Sequence, residues 1–309
     1  MHRRLERPAL AGTLRHFDQF QGNLMFRTVL LALSTLLAAS LVHAQALDGR
    51  LKKIADSKTI AIAYRADAIP FSFTDETKQV IGFSIDLCKR VVNSIERQIN
   101  VPNLQIKWVP VTTQTRFEAI MKGQADMECG SSTMTLSRMK QVDFSNPIFL
   151  ETTGLVVKSA AGIRSFSDMS GKSIVVIAGT TNERAVNDQM KRRQVNATVV
   201  AMKSREEAFA AFDEGKFDAF ASDKLLLLGA AMKAKNPKAL ALLDDDLSVE
   251  PYGIVLPRGD ASLRLAVNTG LSQIYTSGEI GELFKRWLAI IGRPGAMLEA
   301  VYILGSIPE

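Results

Sequence analysis

Histidine is nearly missing from this chain. Its 309 residues include three, His2, His16 and His43, and all of them precede residue 45. That stretch reads as a segment lost on export. Met25-Phe26-Arg27 leads into an apolar run from Thr28 to Val42, which closes on His43-Ala44-Gln45-Ala46. A short basic start, an apolar core and small residues at the cut describe a secretory signal peptide. The run is shorter than the ~20 residues a spanning helix needs. Residues 1–44 are therefore expected to form a leader cleaved near Ala44, with Ala46 as the second position. Residues 1–24 read as an extended leader or as sequence upstream of the true start at Met25. The exported chain then has no histidine. Ser–His–Asp and Cys–His catalysis and His-ligated metal sites are excluded, and the commonest general base is gone. Binding, not an enzyme activity, is the expectation.

Other shortages narrow the choice further. Although the net charge is +6, no Lys/Arg-rich tract with interleaved aromatics marks a nucleic-acid footprint, so no nucleic acid is expected. No G-x-x-x-x-G-K phosphate loop occurs, and neither a cofactor nor a metal is expected. No cysteine stands at the cut, which argues against a lipid anchor. Cysteine is limited to Cys88 and Cys129. In an oxidising compartment the two could pair, or both could serve as small buried apolar residues. The sequence leaves both open.

What is present is an α/β pattern. Thr59 to Tyr64 reads as a strand handing over to Arg65. Ile85, Cys88, Val91, Val92, Ile95 and Ile99 recur at helical spacing. A strand from Leu104 to Val109 follows, then a helix from Arg116 to Met121 stopped by Gly123, and a strand into Cys129. A second such unit runs through Lys172–Ile177, a helix capped by Thr181 or Asn182, a strand over Ala197–Ala201, a helix from Arg205 to Glu214 and a strand from Phe217 to Ala221. The units echo each other: Ala119 to Asp126 resembles Ala211 to Asp218, each a helix ending at Gly and a strand opening at Asp. This predicts two α/β lobes with largely parallel sheets. Lobe 1 is expected over 47–152 and 252–309, and lobe 2 over 153–251. Extended crossings near 150–156 and 247–256 would join them. From Gly292 onward a loose end is expected.

Polar groups gather where strands end. Cys129-Gly130-Ser131-Ser132-Thr133 is followed by Arg138, Arg65 ends another strand, and Arg116 lies upstream. Hydroxyls, free N–H groups and flat guanidinium donors suit a carboxylate. In open α/β sheets ligands bind outside the carboxyl ends of strands. A small anionic ligand between the lobes is the expectation.

At this point the residues resemble a known family, the family 3 extracellular solute-binding proteins, over roughly 47–290. Gly82-Phe83-Ser84-Ile85-Asp86-Leu87 resembles the family signature, with Ser84 where the common pattern has Asp or Glu. Ile69-Pro70-Phe71-Ser72-Phe73, Val142-Asp143-Phe144-Ser145, Gly179-Thr180-Thr181 and Phe284-Lys285-Arg286-Trp287 add to it. Tyr64-Arg65, Thr112 to Arg116 and Glu128 to Ser131 are similar to the glutamate/aspartate-binding branch. The resemblance implies the two-lobed type II periplasmic binding protein fold and a monomeric receptor that serves an inner-membrane ABC permease. It implies that Arg138, with Ser131, Thr133 and Thr180, takes the α-carboxylate and that Asp223 takes the ammonium. Arg65, Thr113 and Arg116 would hold the side-chain carboxylate. Arg205 stands where that branch carries a histidine and still suits an acidic side chain. Two alternatives share the fold: a periplasmic dehydratase-like enzyme, with Glu128, Glu151 and Asp223 as its candidate acids, and a ligand sensor for a chemoreceptor. Asp223 could also simply cap a helix beginning at Lys224, and Asp126 and Glu128 could both be structural.

Overall fold

The computed structural model describes residues 47–308. The expected leader and its cut site lie outside the described residues. After helix α1 (Gly49–Ser57) comes strand β1 (Thr59–Arg65), whose Ile60, Ala61, Ile62 and Ala63 are all buried, as in a strand covered on both faces. Short strands β2 (Asp67–Ala68), β3 (Ser72–Thr74) and β4 (Val80–Ile81) form a small antiparallel sheet. Helix α2 (Phe83–Gln98) buries the predicted stripe, Ile85, Cys88, Val91, Val92 and Ile95. Its start depends on Gly82, at φ +132°, where a Cβ would stand 2.3 Å from the Phe71 carbonyl oxygen. Strand β5 (Gln105–Val111), helix α3 (Arg116–Met121), β6 (Met127–Cys129) and the long β7 (Val142–Glu151) complete the first run.

The chain then crosses. Strand β8 (Thr153–Lys158) opens a second sheet, joined by β9 (Ser173–Ile177), helix α4 (Thr181–Arg193), β10 (Thr198–Met202), α5 (Arg205–Asp213), β11 (Ala219–Asp223), α6 (Lys224–Ala231) and β12 (Leu240–Leu242). Strand β13 (Glu250–Pro257) crosses back, followed by α7 (Ala261–Thr276), α8 (Glu279–Leu288) and α9 (Ala296–Gly305). The first sheet has the order β5-β1-β6-β13-β7 and the second β10-β9-β11-β8-β12. In the first, β1 runs parallel to β5 and β6, and β13 runs antiparallel to β6 and β7. Glu151 and Glu250, at the two crossings, are register partners. This is the two-lobed type II periplasmic binding protein fold, with a hinge of two adjacent strands.

The echo between the lobes has a physical content. Asp126 accepts from the Ala61 N–H at 2.8 Å, and Asp218 accepts from the Ser173 N–H at 2.8 Å. Each aspartate clamps the neighbouring parallel strand of its sheet, and each preceding helix ends at a positive-φ glycine, Gly123 or Gly215. Asp126 is also paired with Arg50 and Lys53, so its part is structural.

Two expectations are corrected. The segment after Gly292 is no loose end. Gly292, Pro294 and Gly295 interrupt the chain, but α9 then docks on lobe 1 with Leu298 and Tyr302 buried, and the Tyr302 hydroxyl donates to the Ile148 carbonyl. The cap of α4 is Thr180, one residue earlier than expected, whose hydroxyl accepts from the Glu183 N–H at 3.1 Å.

Cys88 and Cys129 form a disulfide, so the pairing alternative holds. It ties α2 to the end of β6 across 41 residues of chain. Closing a loop of that length contributes about 4 kcal/mol in the chain-entropy account. Reduction of the folded protein should therefore lower its urea midpoint by a readily measured amount. An unchanged midpoint with and without reductant would show that the bridge adds nothing.

No helix among the described residues is long and apolar enough to cross a membrane.

Candidate functional site

The carboxyl ends of β1, β6 and β11 face one small space between the lobes, about 260 Å³ in all. Lobe 1 supplies Arg65, Thr113, Arg116, Ser131, Thr133 and Arg138; lobe 2 supplies Thr180, Arg205 and Asp223. The structure thus gathers all nine residues expected to touch the ligand around one cavity. It adds Thr181 and Asn182, the two residues expected as caps of α4.

Each side chain is set by its element. Arg65 ends β1, and its Nη2 donates to both oxygens of Asp67 at 2.6 and 2.8 Å. Arg116 opens α3 and lies over the Phe117 ring at 4.9 Å. Arg138 lies over the same ring at 5.2 Å, and its Nη1 donates to the Thr133 carbonyl at 2.8 Å. Arg205 opens α5 and donates to the Ser222 hydroxyl at 2.8 Å. Asp223 occupies the residue before α6, yet its side chain makes no capping bond. It accepts instead from the Asn182 amide at 2.8 Å. The Thr180 hydroxyl donates to the Ile177 carbonyl at 2.7 Å while capping α4, so its proton is already committed. Thr181 reaches further, its hydroxyl 3.3 Å from that of Thr133 on the other lobe. The first-turn N–H groups of α4 are a natural anion seat.

The lobes are closed on each other. The Gln114 amide donates across to the Lys203 carbonyl at 3.2 Å. Gly229 of α6 comes so near that a Cβ there would stand 2.5 Å from the Ile69 carbonyl oxygen. Leu225 and Leu226 of α6 belong to the same apolar cluster as Phe71, Phe149 and Tyr252 of lobe 1.

Electrostatically the cavity is strongly positive. Four guanidinium groups line it against one carboxylate. Burial, reinforced by Arg138, pushes the Arg116 guanidinium down to about 9. The Nε atoms of Arg65, Arg116 and Arg205 are buried without a partner. Burial, and then the Glu250 charge, raises Asp223 to about 6. Glu128 is buried without a hydrogen-bond partner for either oxygen; burial raises its pKa, opposed first by Arg116. Glu128 and Glu151 are not among the cavity-lining residues. No cluster of possible metal ligands occurs among the described residues.

Glu151, at the hinge, accepts from the Thr152 and Leu225 N–H groups, yet burial and Asp223 raise it to about 8. In the unfolded chain such a group loses its proton near pH 4.5. The stability this group contributes is thus full below pH 4.5 and is lost as pH rises to about 8. The slope reaches about 1.4 kcal/mol per pH unit. Glu151→Gln removes that slope, so its Tm relative to wild type should climb from pH 5 to pH 8. A pH-independent difference in Tm would show the carboxyl to be ionised throughout.

The model of the bacterial extracellular solute-binding proteins, family 3, matches residues 60–290. The chain is 36% identical over 260 residues to an L-glutamate/L-aspartate-binding protein of Pseudomonas aeruginosa, covering 82% of this chain and 86% of that one. It is 34% identical over 257 residues to a glutamate/aspartate import solute-binding protein of Escherichia coli, covering 83% and 85%. Among solved structures it is similar to an ancestral amino acid-binding protein described as a precursor of cyclohexadienyl dehydratase, with a TM-score of 0.67 at 28% identity, covering 77% of this chain and 99% of that one.

Proposed function

The chain belongs to the bacterial extracellular solute-binding proteins of family 3, and on that footing we propose that it is a periplasmic receptor for glutamate or aspartate, acting as a monomer that delivers its ligand to an inner-membrane ABC permease. The observation that carries this reading is a set of three buried guanidinium groups with unpartnered Nε donors around a small closed space. A buried donor left unpaired costs about 1–3 kcal/mol, and more when charged. A dicarboxylic amino acid offers two negative groups and one positive group. Arg138, with Ser131, Thr133 and the start of α4, takes the α-carboxylate. Asp223 takes the ammonium. Arg65, Thr113 and Arg116, with Arg205 beside them, take the side-chain carboxylate. A ligand held by both lobes favours the closed state through contacts that the open state lacks. The two relatives are named for the same ligands.

The likeness to a dehydratase precursor makes the enzyme reading the second one. Of its three candidate acids, Asp223 alone is among the cavity-lining residues, and it is the natural partner of the ammonium. The test is calorimetric titration of residues 45–309, unfolded and refolded to strip carried-over ligand. Glutamate, aspartate, glutamine, asparagine, histidine and arginine are added in turn. One-to-one binding of the acidic pair, with the amides at least ~10-fold weaker, is the expected result. Binding by none of the six would sink the amino-acid reading.

A further inference from the structure

Between the guanidinium groups of Arg65 and Arg205, which come from different lobes, stands a carboxylate that belongs to the protein. Asp67 receives Arg65 Nη2 on both oxygens, and Arg205 Nε lies 3.9 Å from its Oδ2. Both arginines are buried, whereas the Asp67 side chain is 36% exposed. Beside it lies a second, larger space of about 1,050 Å³ including the solvent at its mouth. Asp67 and Arg205 line that space together with Phe209, Leu226 and Lys233. Arg65 lines the smaller space, Asp67 the larger and Arg205 both, so the Arg65–Asp67–Arg205 chain links the two.

Two consequences follow from charge and size. Closing the lobes brings two buried cations together, and Asp67 offsets their repulsion before any ligand arrives. It also competes with a ligand carboxylate for the outward donors of the same groups, because a guanidinium has a limited fork of N–H bonds. We propose that Asp67 is a specificity-determining residue that closes the side-chain end of the cavity and restricts the site to short acidic amino acids. Without it, a longer acidic side chain places its own carboxylate where Asp67 stands and extends toward the second space. This inference rests on the acidic amino-acid reading above.

The test is a binding series on wild type, Asp67→Ala and Asp67→Asn, with aspartate, glutamate, 2-aminoadipate and γ-glutamylglycine as probes. One methylene in a fitted pocket is worth about 10–200-fold. Wild type should bind 2-aminoadipate at least ~10-fold more weakly than glutamate. Asp67→Ala should narrow that ratio by about 10-fold or more. Asp67→Asn, which keeps the bulk and removes the charge, should narrow it less. A ratio unchanged in Asp67→Ala, or all four probes shifting by one factor, overturns the proposal and leaves Asp67 as a structural partner of Arg65. Failure of wild type to bind any of the four overturns the functional reading and this one with it. An intact wild-type preference with an unmoved ratio overturns this one alone.

Discussion

Arg138→Ala should weaken binding of every α-amino acid, acidic or not, by a similar large factor, because on the proposed binding mode each presents an α-carboxylate to the same guanidinium. The guanidinium is held in place by two contacts. Phe117 supports its face at 5.2 Å, and the Thr133 carbonyl takes one Nη1 proton at 2.8 Å. The remaining donors are left for a ligand beside Ser131 and the start of α4. Removing one member of a desolvated, hydrogen-bonded charge pair costs about 2–5 kcal/mol or more, a loss of about 30- to 5,000-fold in affinity. Calorimetry with glutamate and glutamine on the same preparation reads it, and both should fall together. Affinity for either retained within about threefold would remove Arg138 from the site.

The second large effect is selective. Arg116→Ala should reduce glutamate and aspartate affinity by about 100-fold or more, while glutamine, whose amide carries no charge, changes by less than about tenfold. Glu128 complicates the variant and also makes it informative. It is buried with neither oxygen hydrogen-bonded, and Arg116 is the strongest influence opposing its tendency to take up a proton. Without Arg116, Glu128 loses the largest of the charges that favour its ionised form, and its pKa moves further up, at some cost in stability. Arg116→Ala/Glu128→Gln should recover that stability without recovering glutamate affinity. If the double variant regains both, Arg116 acts on the ligand only through the fold around it. If glutamate and glutamine weaken equally in the single variant, the side-chain carboxylate sits elsewhere.

Much of this site could be read from residue types at the ends of strands. Arg65, Ser131 and Asp223 stand at or just past the carboxyl ends of β1, β6 and β11, where a parallel sheet always opens its crevice. The period of the apolar residues gave the helices, and a glycine followed by Gln-Ala-Asp or Lys-Phe-Asp gave the repeat. What could not be read depends on distances through space. Asp67 lies two residues from Arg65 and looks like any surface aspartate until Arg205 arrives from the other lobe. Thr180 and Thr181 are neighbours of one type that both line the cavity, and only the geometry of the turn commits the first hydroxyl to the cap and leaves the second facing Thr133. Whether Cys88 and Cys129 meet depends on how α2 lies on its sheet. Helix α9 was hidden by the Gly-Arg-Pro-Gly stretch before it, since breakers mark an interruption without saying whether the chain resumes.

Strand β13 is fourth of five in its sheet, wedged between β6 and β7, yet it is the last strand in chain order among the described residues. Lobe 2 has all its strands by residue 242. The half that begins the chain is thus the later to close: until β13 inserts, β6 and β7 carry open edges, which are the places where strands pair wrongly. A polypeptide emerging amino-terminus first would finish its second lobe while its first still waits. Ser131 and Arg138 border that gap, so the affinity of this protein is a property of the finished chain and of no shorter intermediate.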